Sequence, residues 1–463
     1  MRFRLSGQSR SWMPRSLAIV VAACSVSFEN ASAQFGNNFF GGNRGVGGVL
    51  IDADGVLRNT TPEDEGRTLE KLRSQMAGPQ GDLAKATDMR MVSLKGIQQI
   101  AVQAQQQGKP VPEDVYCLGG LTRIDYVFVY PDRQDIVLAG PAEPWTLGPN
   151  AAIVGKVSGN PIVNLDDLVT AFRYVGQARN GGVSVSIEPT ENGVKQFNQV
   201  YGSFANSGNI NPTEMTQALA RAIGPQQIKL SGIPADSNMA RVILAADYRM
   251  KLYGMNLAKA PVAGLPSYLE MVQNRSTVSN QLQSRWWMAC DYDAISHSKD
   301  RLAWKISGQR IKAMTEQEVF DANGGRTRTG KVDPIAKKWA DNFTKKIGEL
   351  AVKDPVFGEL RNVMDLCVVA ALIETQNLQS LSNCNLTSIL GEASKLQGVK
   401  LDVAQSLDPQ VSFLQTVQSL LVTFSGGVMI ESWHIASTVR ENDKVADARA
   451  GGAKWENSQK WYQ

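Results

Sequence analysis

Tyr126-Val127-Phe128-Val129-Tyr130-Pro131-Asp132-Arg133-Gln134-Asp135-Ile136-Val137-Leu138 consists of two β-rich runs separated by four polar or turn-forming residues. Aromatic and β-branched residues suit a pleated surface, and the polar break suits a bend, so the stretch predicts a β-hairpin buried on at least one face.

Downstream, Ala152 to Val157 predicts a strand that runs through Gly159-Asn160-Pro161 to a helix opening near Asn164, with Leu165, Leu168, Val169 and Phe172 on one side. Val183 to Ile187 reads as a strand and Thr190 as the start of a helix. Ile228 to Ser231 follows as a strand, and Asp236 to Leu257 as a largely apolar helix. Arg285 to Met288 and Leu302 to Met314 read as strands, the second broken at Ser307-Gly308. From Pro334 the pattern becomes helical. Ile335 to Leu350 is amphipathic, and Val356 to Ile373 is apolar nearly all round, which predicts a helix buried among other elements. Gly426 to Ile430 returns to strand, and Arg440 to Gln463 reads as a polar tail.

Upstream, Met89 to Gln107 carries apolar residues at helical spacing and ends at Gly108 and Pro110. Thr61-Pro62-Glu63-Asp64-Glu65 reads as a helix start. Val49 to Leu57, bent at Asp54-Gly55, predicts another hairpin. Alternating strands and helices with hairpins predict an α+β fold, mixed in its N-terminal and central parts and mainly helical towards the C-terminus. The divisions expected are a signal peptide over 1–33, a Gly/Asn-rich leader over 34–48 and an α+β domain over 49–200. A central α/β segment over 201–332, a helical region over 333–440 and a polar tail over 441–463 complete them.

The first residues carry an address. Arg2, Arg4, Arg10 and Arg15 precede an apolar run from Leu17 to Phe28, and Ala31-Ser32-Ala33 places small residues before Gln34. Basic head, short apolar middle and small-residue exit form a secretory signal with cleavage after Ala33, so a secreted or periplasmic protein is expected. The apolar run of about 12 residues is too short to span a ~30 Å hydrocarbon core. Val21-Ala22-Ala23-Cys24 is a loose lipoprotein box that would anchor the chain through an acylated Cys24, but it leaves an apolar core of only Leu17 to Ala23.

The leader holds four arginines and Glu29, so the chain's 48 Lys+Arg against 44 Asp+Glu becomes 44 against 43 without it. A basic balance that disappears with the leader gives no reason to expect a nucleic-acid partner. At 43% hydrophobic and 20% charged residues, the remainder suits a packed globular body rather than a disordered one. Cys117, Cys290, Cys367 and Cys384 lie far apart and none at CxxC spacing, which argues against cysteine-bound zinc; Cys367, inside an apolar run, reads as a buried reduced thiol.

Motifs with catalytic potential are sparse. Asp52-Ala53-Asp54-Gly55 after Val49-Leu50-Ile51 resembles the first motif of haloacid-dehalogenase-type phosphatases, in which Asp52 would attack phosphorus and Asp54 would act as general acid. That chemistry also needs a phosphoryl-holding Lys and a late acidic pair; Asp166-Asp167 falls inside a helix instead. A hairpin bent at Asp54-Gly55 explains the same residues. Asp291 and Asp293, after Trp286-Trp287, form an acidic pair of the kind a glycan-acting site uses. His297 and His434 are the chain's two histidines, and neither follows a G-x-S-x-G elbow. No cofactor or metal is called for by any of these patterns.

Several blocks in order carry a resemblance. Tyr126 to Pro131, Asp135 to Glu143, Asp166-Asp167-Leu168, Ser186-Ile187-Glu188-Pro189-Thr190, Ala246-Asp247-Tyr248-Arg249-Met250-Lys251 and Met364 to Ile373 together resemble a family of secreted, planctomycete-type bacterial proteins, known as domain of unknown function 1598. The resemblance implies an exported, multi-part globular body and brings no reaction, ligand or site residue with it. The function expected is non-enzymatic binding of an envelope or extracellular protein or glycan. A secreted hydrolase using Asp52 with Asp54, or Asp291 with Asp293, is the alternative.

Overall fold

The structure, a computed structural model, describes residues 49–51, 56–59, 76–149, 152–205, 211–272, 282–320, 326–390, 400–409, 412–414, 420–422, 425–451 and 460–463. The leader, Cys24, Asp52, Asp54 and the helix expected at Thr61 lie outside these residues.

The described residues open on β1 (Val49–Ile51) and β2 (Val56–Asn59), paired antiparallel as the Asp-Gly signal predicts. β3 (Thr87–Ser93) runs straight into α1 (Leu94–Gln106), whose first turn is capped by the Ser93 hydroxyl accepting from the Gly96 amide at 2.8 Å. The single helix expected from Met89 to Gln107 is therefore a strand followed by a shorter helix. Pairing of Arg90–Ser93 with Val137–Gly140 satisfies this backbone in a ladder, and tertiary pairing overrides the helical preference of Met and Arg.

β4 (Tyr126–Tyr130) and β5 (Asp135–Ala142) form the expected hairpin, with Tyr130 opposite Asp135. β6 (Trp145–Leu147) pairs with β7 (Ile153–Gly155), and Asn164 caps α2 (Leu165–Arg173) by accepting from the Asp167 amide. β8 (Val183–Glu188), α3 (Glu191–Ala205), α4 (Pro212–Ile223), β9 (Gln226–Ser231) and α5 (Asn238–Gly254) follow. α4 has no counterpart among the sequence expectations, although Asn211 caps it, Pro212 opens it and Gly224 at φ 65° closes it.

β10 (Leu282–Asp291), β11 (Ile295–His297), β12 (Ala303–Lys305), β13 (Arg310–Phe320) and β14 (Arg326–Arg328) precede the long helices α6 (Pro334–Lys353) and α7 (Val356–Thr375). β15 (Ser406–Leu407) comes next, then β16 (Ser412–Leu414) paired with β17 (Leu420–Val422), and β18 (Ser425–Ile430). α8 (Ser432–Ser437) follows, and β19 (Val439–Glu441) and α9 (Val445–Gly451) reach into ground where the sequence pattern reads as polar tail. Residues 460–463 also return to the body, with Trp461 8% exposed. The protein is α+β.

Two sheets organise it. The larger has the order β1-β2-β15-β9-β8-β18-β10-β13-β14, antiparallel except where β15 meets β2 and β18 meets β10. The smaller runs β19-β11-β12-β4-β5-β3. α5 packs on β8, β10 and β18, α6 packs on β13, and α7 lies against α2, α5, α6, α8 and β13. From Leu366 to Ile373, α7 is at most 4% exposed, so its all-round apolar surface has partners on every side. Trp286 stands on the helix side of the large sheet and meets Trp339 of α6 edge to face at 4.7 Å and Tyr268 at 5.2 Å.

β18 fits between β8 and β10 because it carries Gly426 and Gly427. Gly426, at φ 126°, has the Trp286 carbonyl where a side chain would start, and Gly427 has the Val185 carbonyl there. Alanine at Gly426 would both strain the backbone and overlap β10. Gly426→Ala is expected to destabilise the protein by about 3 kcal/mol or more, read as a shift in denaturant midpoint; a change below about 0.5 kcal/mol would show that the sheet tolerates a methyl there.

Candidate functional site

Side chains alternate across a strand, so the large sheet presents one row to the helices and another to the opposite side. Val183, Val185 and Ile187 of β8 and Trp286 and Met288 of β10 fill the helix side. On the opposite face, Glu188 pairs across to Gln227, and Arg285 lies across from Ser425 on one side and Glu316 on the other. Between them β18 contributes Gly426 and Gly427, so the middle of this face is floored by backbone.

The result is a cleft of about 560 Å³ lined by Glu188, Glu191, Gln227, Lys229, Arg285, Glu318 and Arg328, with Pro189 and Thr190 at the start of α3. Three cations and three anions share its walls. Lys229 Nζ lies 3.5 Å from the Glu188 carboxylate, and Arg285 Nε lies 3.9 Å from that of Glu318. The Arg285 guanidinium stands over the Trp287 ring, 5.6 Å from its centre, a cation–π contact. Glu318 pairs directly across to Arg328 on the edge strand β14 and is 5% exposed, so its charge is anchored. Glu188, Lys229, Arg285, Glu318 and Arg328 sit on strands rather than loops, which keeps their separations fixed.

Behind this face, α5 carries Asp247 and Lys251, 0% and 3% exposed. Lys251 Nζ donates to Asp247 Oδ2 at 2.6 Å and to the Gly426 carbonyl at 3.4 Å, tying the helix to the glycine strand that floors the cleft. Burial pushes the Asp247 carboxyl up and the Lys251 ammonium down, and each partner's charge works against the other's shift. Arg285 opposes the Asp247 shift by favouring the ionised carboxylate and adds to the Lys251 shift by disfavouring the protonated amine.

A second concavity, about 380 Å³, lies beside Tyr253, Asn256, Leu265 and Glu270. Tyr253 donates to Asp354 Oδ2, which also takes Arg249 Nε at 2.9 Å. Burial, then the Asp354 charge, raises the Tyr253 phenol, so it stays a hydrogen-bond donor. This triad locks α5 to the start of α7.

The residues singled out by sequence separate. Asp291 closes β10 and faces Lys312 at 3.6 Å, while Asp293 takes the Ser307 hydroxyl at 3.0 Å on the surface. Tyr292 between them turns inward, donating to Asp365 at 2.8 Å. Asp166 accepts from Tyr116 at 3.0 Å, and Asp167 accepts from the Asn164 and Asn238 amides, so both fasten α2 to its neighbours. His297 lies in β11, buried; its Nδ1 meets the Ser298 carbonyl at 2.9 Å and its ring lies tilted against Trp304, with centroids 4.9 Å apart. His434 is in α8. Cys117, Cys290, Cys367 and Cys384 are unpaired thiols, and burial pushes Cys290 up to about 12 and Cys384 up to about 11. Among the described residues, no three His, Cys, Asp or Glu side chains gather as a metal site, and no helix is long and apolar enough to cross a membrane.

Sequence reading missed the cleft. Its charges come from positions 188 to 328 and meet through strand order alone. Glu188 belongs to the block Ser186-Ile187-Glu188-Pro189-Thr190, and Arg285 to the strand expected over Arg285 to Met288.

Fold and cleft define an α+β protein with a mixed-charge groove on one face of a mostly antiparallel sheet. The family described as Protein of unknown function (DUF1598) matches residues 185–268. That span covers Glu188, Glu191, Gln227 and Lys229 of the cleft and the whole of α5. No curated protein and no solved structure matches the chain.

The buried pair gives a test of what α5 contributes. Lys251→Met alone is expected to cost about 3–5 kcal/mol, because it leaves Asp247 charged and unpaired, whereas Asp247→Leu with Lys251→Met should return to within about 1 kcal/mol of the starting stability. Urea titration of the cycle measures both; a double variant as unstable as the single one would show that the pair holds the fold through more than mutual compensation.

Proposed function

We propose that the protein is a non-enzymatic binding protein of the envelope or extracellular space, and that its sheet cleft takes an extended peptide segment carrying both signs of charge. The observation that carries this is the wall itself: Lys229, Arg285 and Arg328 interleaved with Glu188, Glu191 and Glu318 around a low floor. A ligand of one sign would meet as much repulsion as attraction there, whereas one with alternating charges pairs with both sets. A neutral glycan would need an open aromatic platform, and the nearby Trp287 ring is stacked under Arg285 instead. The strand-borne positions favour selection by charge spacing over adaptive fit.

The test is a fluorescence-polarisation panel of short mixed-charge peptides, single-sign peptides and neutral oligosaccharides. Mixed-charge peptides are expected to bind, with affinity falling as salt rises. Lys229→Glu and Arg328→Glu should each weaken binding roughly tenfold or more with little change in melting temperature. Binding of oligosaccharides alone, or peptide binding indifferent to both reversals, would sink the reading.

The export half of the proposal rests on Arg2 to Ala33. Expressed with its full sequence in a bacterial host, the chain is expected to be recovered outside the cytoplasm with Gln34 at its N-terminus by mass spectrometry. Chain retained in the cytoplasm with Met1 in place would overturn it, and an acylated Cys24 would move the site to a membrane surface.

A further inference from the structure

The smaller sheet ends on β3, yet the outer side of β3 is not bare. The Met91 amide donates to the Gln463 carbonyl at 2.9 Å, the Gln463 amide returns a bond to the Met91 carbonyl at 2.9 Å, and the Ser93 amide donates to the Trp461 carbonyl at 2.8 Å. Residues 460–463 thus lie along the edge as a short antiparallel strand, with Val92 opposite Tyr462.

Side chains of this segment fall into places shaped for them. Trp461 turns inward and is 8% exposed. It stands over two glycines: a Cβ at Gly96 would lie 2.6 Å from the Trp461 Cβ, and one at Gly119 would lie 3.6 Å from the far edge of the indole. Leu83 and Val92 complete the slot beside Gly119. Tyr462 turns the other way, its ring 5.6 Å from the Arg90 guanidinium. Arg90 is itself fixed by the carbonyls of Asp82 and Lys85, at 3.1 Å each. Lys460 Nζ meets the Asp82 carboxylate at 3.0 Å.

Backbone pairing, an indole slot and a charged clamp, reading alternate residues of an extended segment, are the components of recognition by strand addition. All the walls come from residues 82–96 and 119. We propose that the edge of β3 is a peptide-binding groove selective for an extended basic-Trp-Tyr segment, that Lys460–Gln463 is its occupant in cis, and that the same segment of a second copy takes the groove when the cis segment is displaced. The groove lies apart from the sheet cleft and shares no residue with it.

The experiment uses the full chain carrying Trp461→Ala and a fluorescent peptide of residues 456–463. The variant is expected to bind the peptide at least tenfold more tightly than the unaltered chain, in which the cis segment competes, and a peptide with Trp461→Ala should lose that binding. Equal binding to variant and unaltered chain, or none to either, overturns the proposal. Gly96→Ala in the full chain provides a reading that does not depend on the first variant folding. Its methyl should expel Trp461, and hydrogen exchange should then quicken at the Met91 and Ser93 amides while β4 keeps its protection. Unchanged exchange at Met91 and Ser93, or protection lost evenly through the small sheet, would show a fixed part of the core and overturn the proposal.

Discussion

A carboxylate sits where solvent does not reach. Asp365, midway along α7, is 0% exposed, and burial raises its carboxyl against the opposing charge of Arg310. Its oxygens are met by the Tyr292 hydroxyl at 2.8 Å, the Ile124 amide at 3.4 Å and Arg310 Nε at 3.5 Å. Arg310 is 3% exposed and passes the connection on, donating to Asp125 at 2.9 Å and to the Ile306 carbonyl at 2.9 Å. Tyr292 follows β10, Arg310 opens β13, and Ile124 and Asp125 precede β4. One side chain on the central helix therefore fastens the large sheet to the small one. A pair like this adds little net stability over apolar packing, but a lone buried charge costs about 3–5 kcal/mol, so alternative seatings of α7 are penalised. Arg310 holds φ 76°, a left-handed backbone uncommon outside glycine, which the bonds around its guanidinium sustain.

That arrangement explains how much of the molecule could be read from sequence. The hairpin at Tyr126–Leu138 and helices α2, α5, α6 and α7 followed from local periodicity, caps and breaks, because each carries its own signal within a few residues. β3 did not, since its strand character comes from β5 some 45 residues later, and Met89-Arg90-Met91 alone favours helix. The return of residues 460–463 was hidden for the same reason: a polar, tryptophan-bearing end gives no sign of the slot at Gly96 and Gly119. Asp365 stands within the largely apolar block Met364 to Ile373, but nothing local says that its partner stands at residue 310.

Charge was the weakest guide. The acids chosen by adjacency, Asp291 and Asp293, turn out to flank Tyr292, the residue between them that reaches the core. The charges that line a cleft, Glu188, Lys229, Arg285, Glu318 and Arg328, are scattered through the chain and meet because β9, β8, β18, β10, β13 and β14 are neighbours. Adjacent acids in sequence attract attention; acids on adjacent strands share a surface.

β18 is contributed at residues 425–430, yet it lies between β8, from residues 183–188, and β10, from residues 282–291. On the ribosome, those two earlier strands both emerge well before the piece that joins them and cannot pair directly without closing the gap it must enter. They wait with unpaired edges, which invites mispairing with other chains. A nascent chain of this design gains from a chaperone that keeps the opening clear until synthesis has passed residue 430, and its refolding in isolation should be slow for reasons of topology rather than of weak packing.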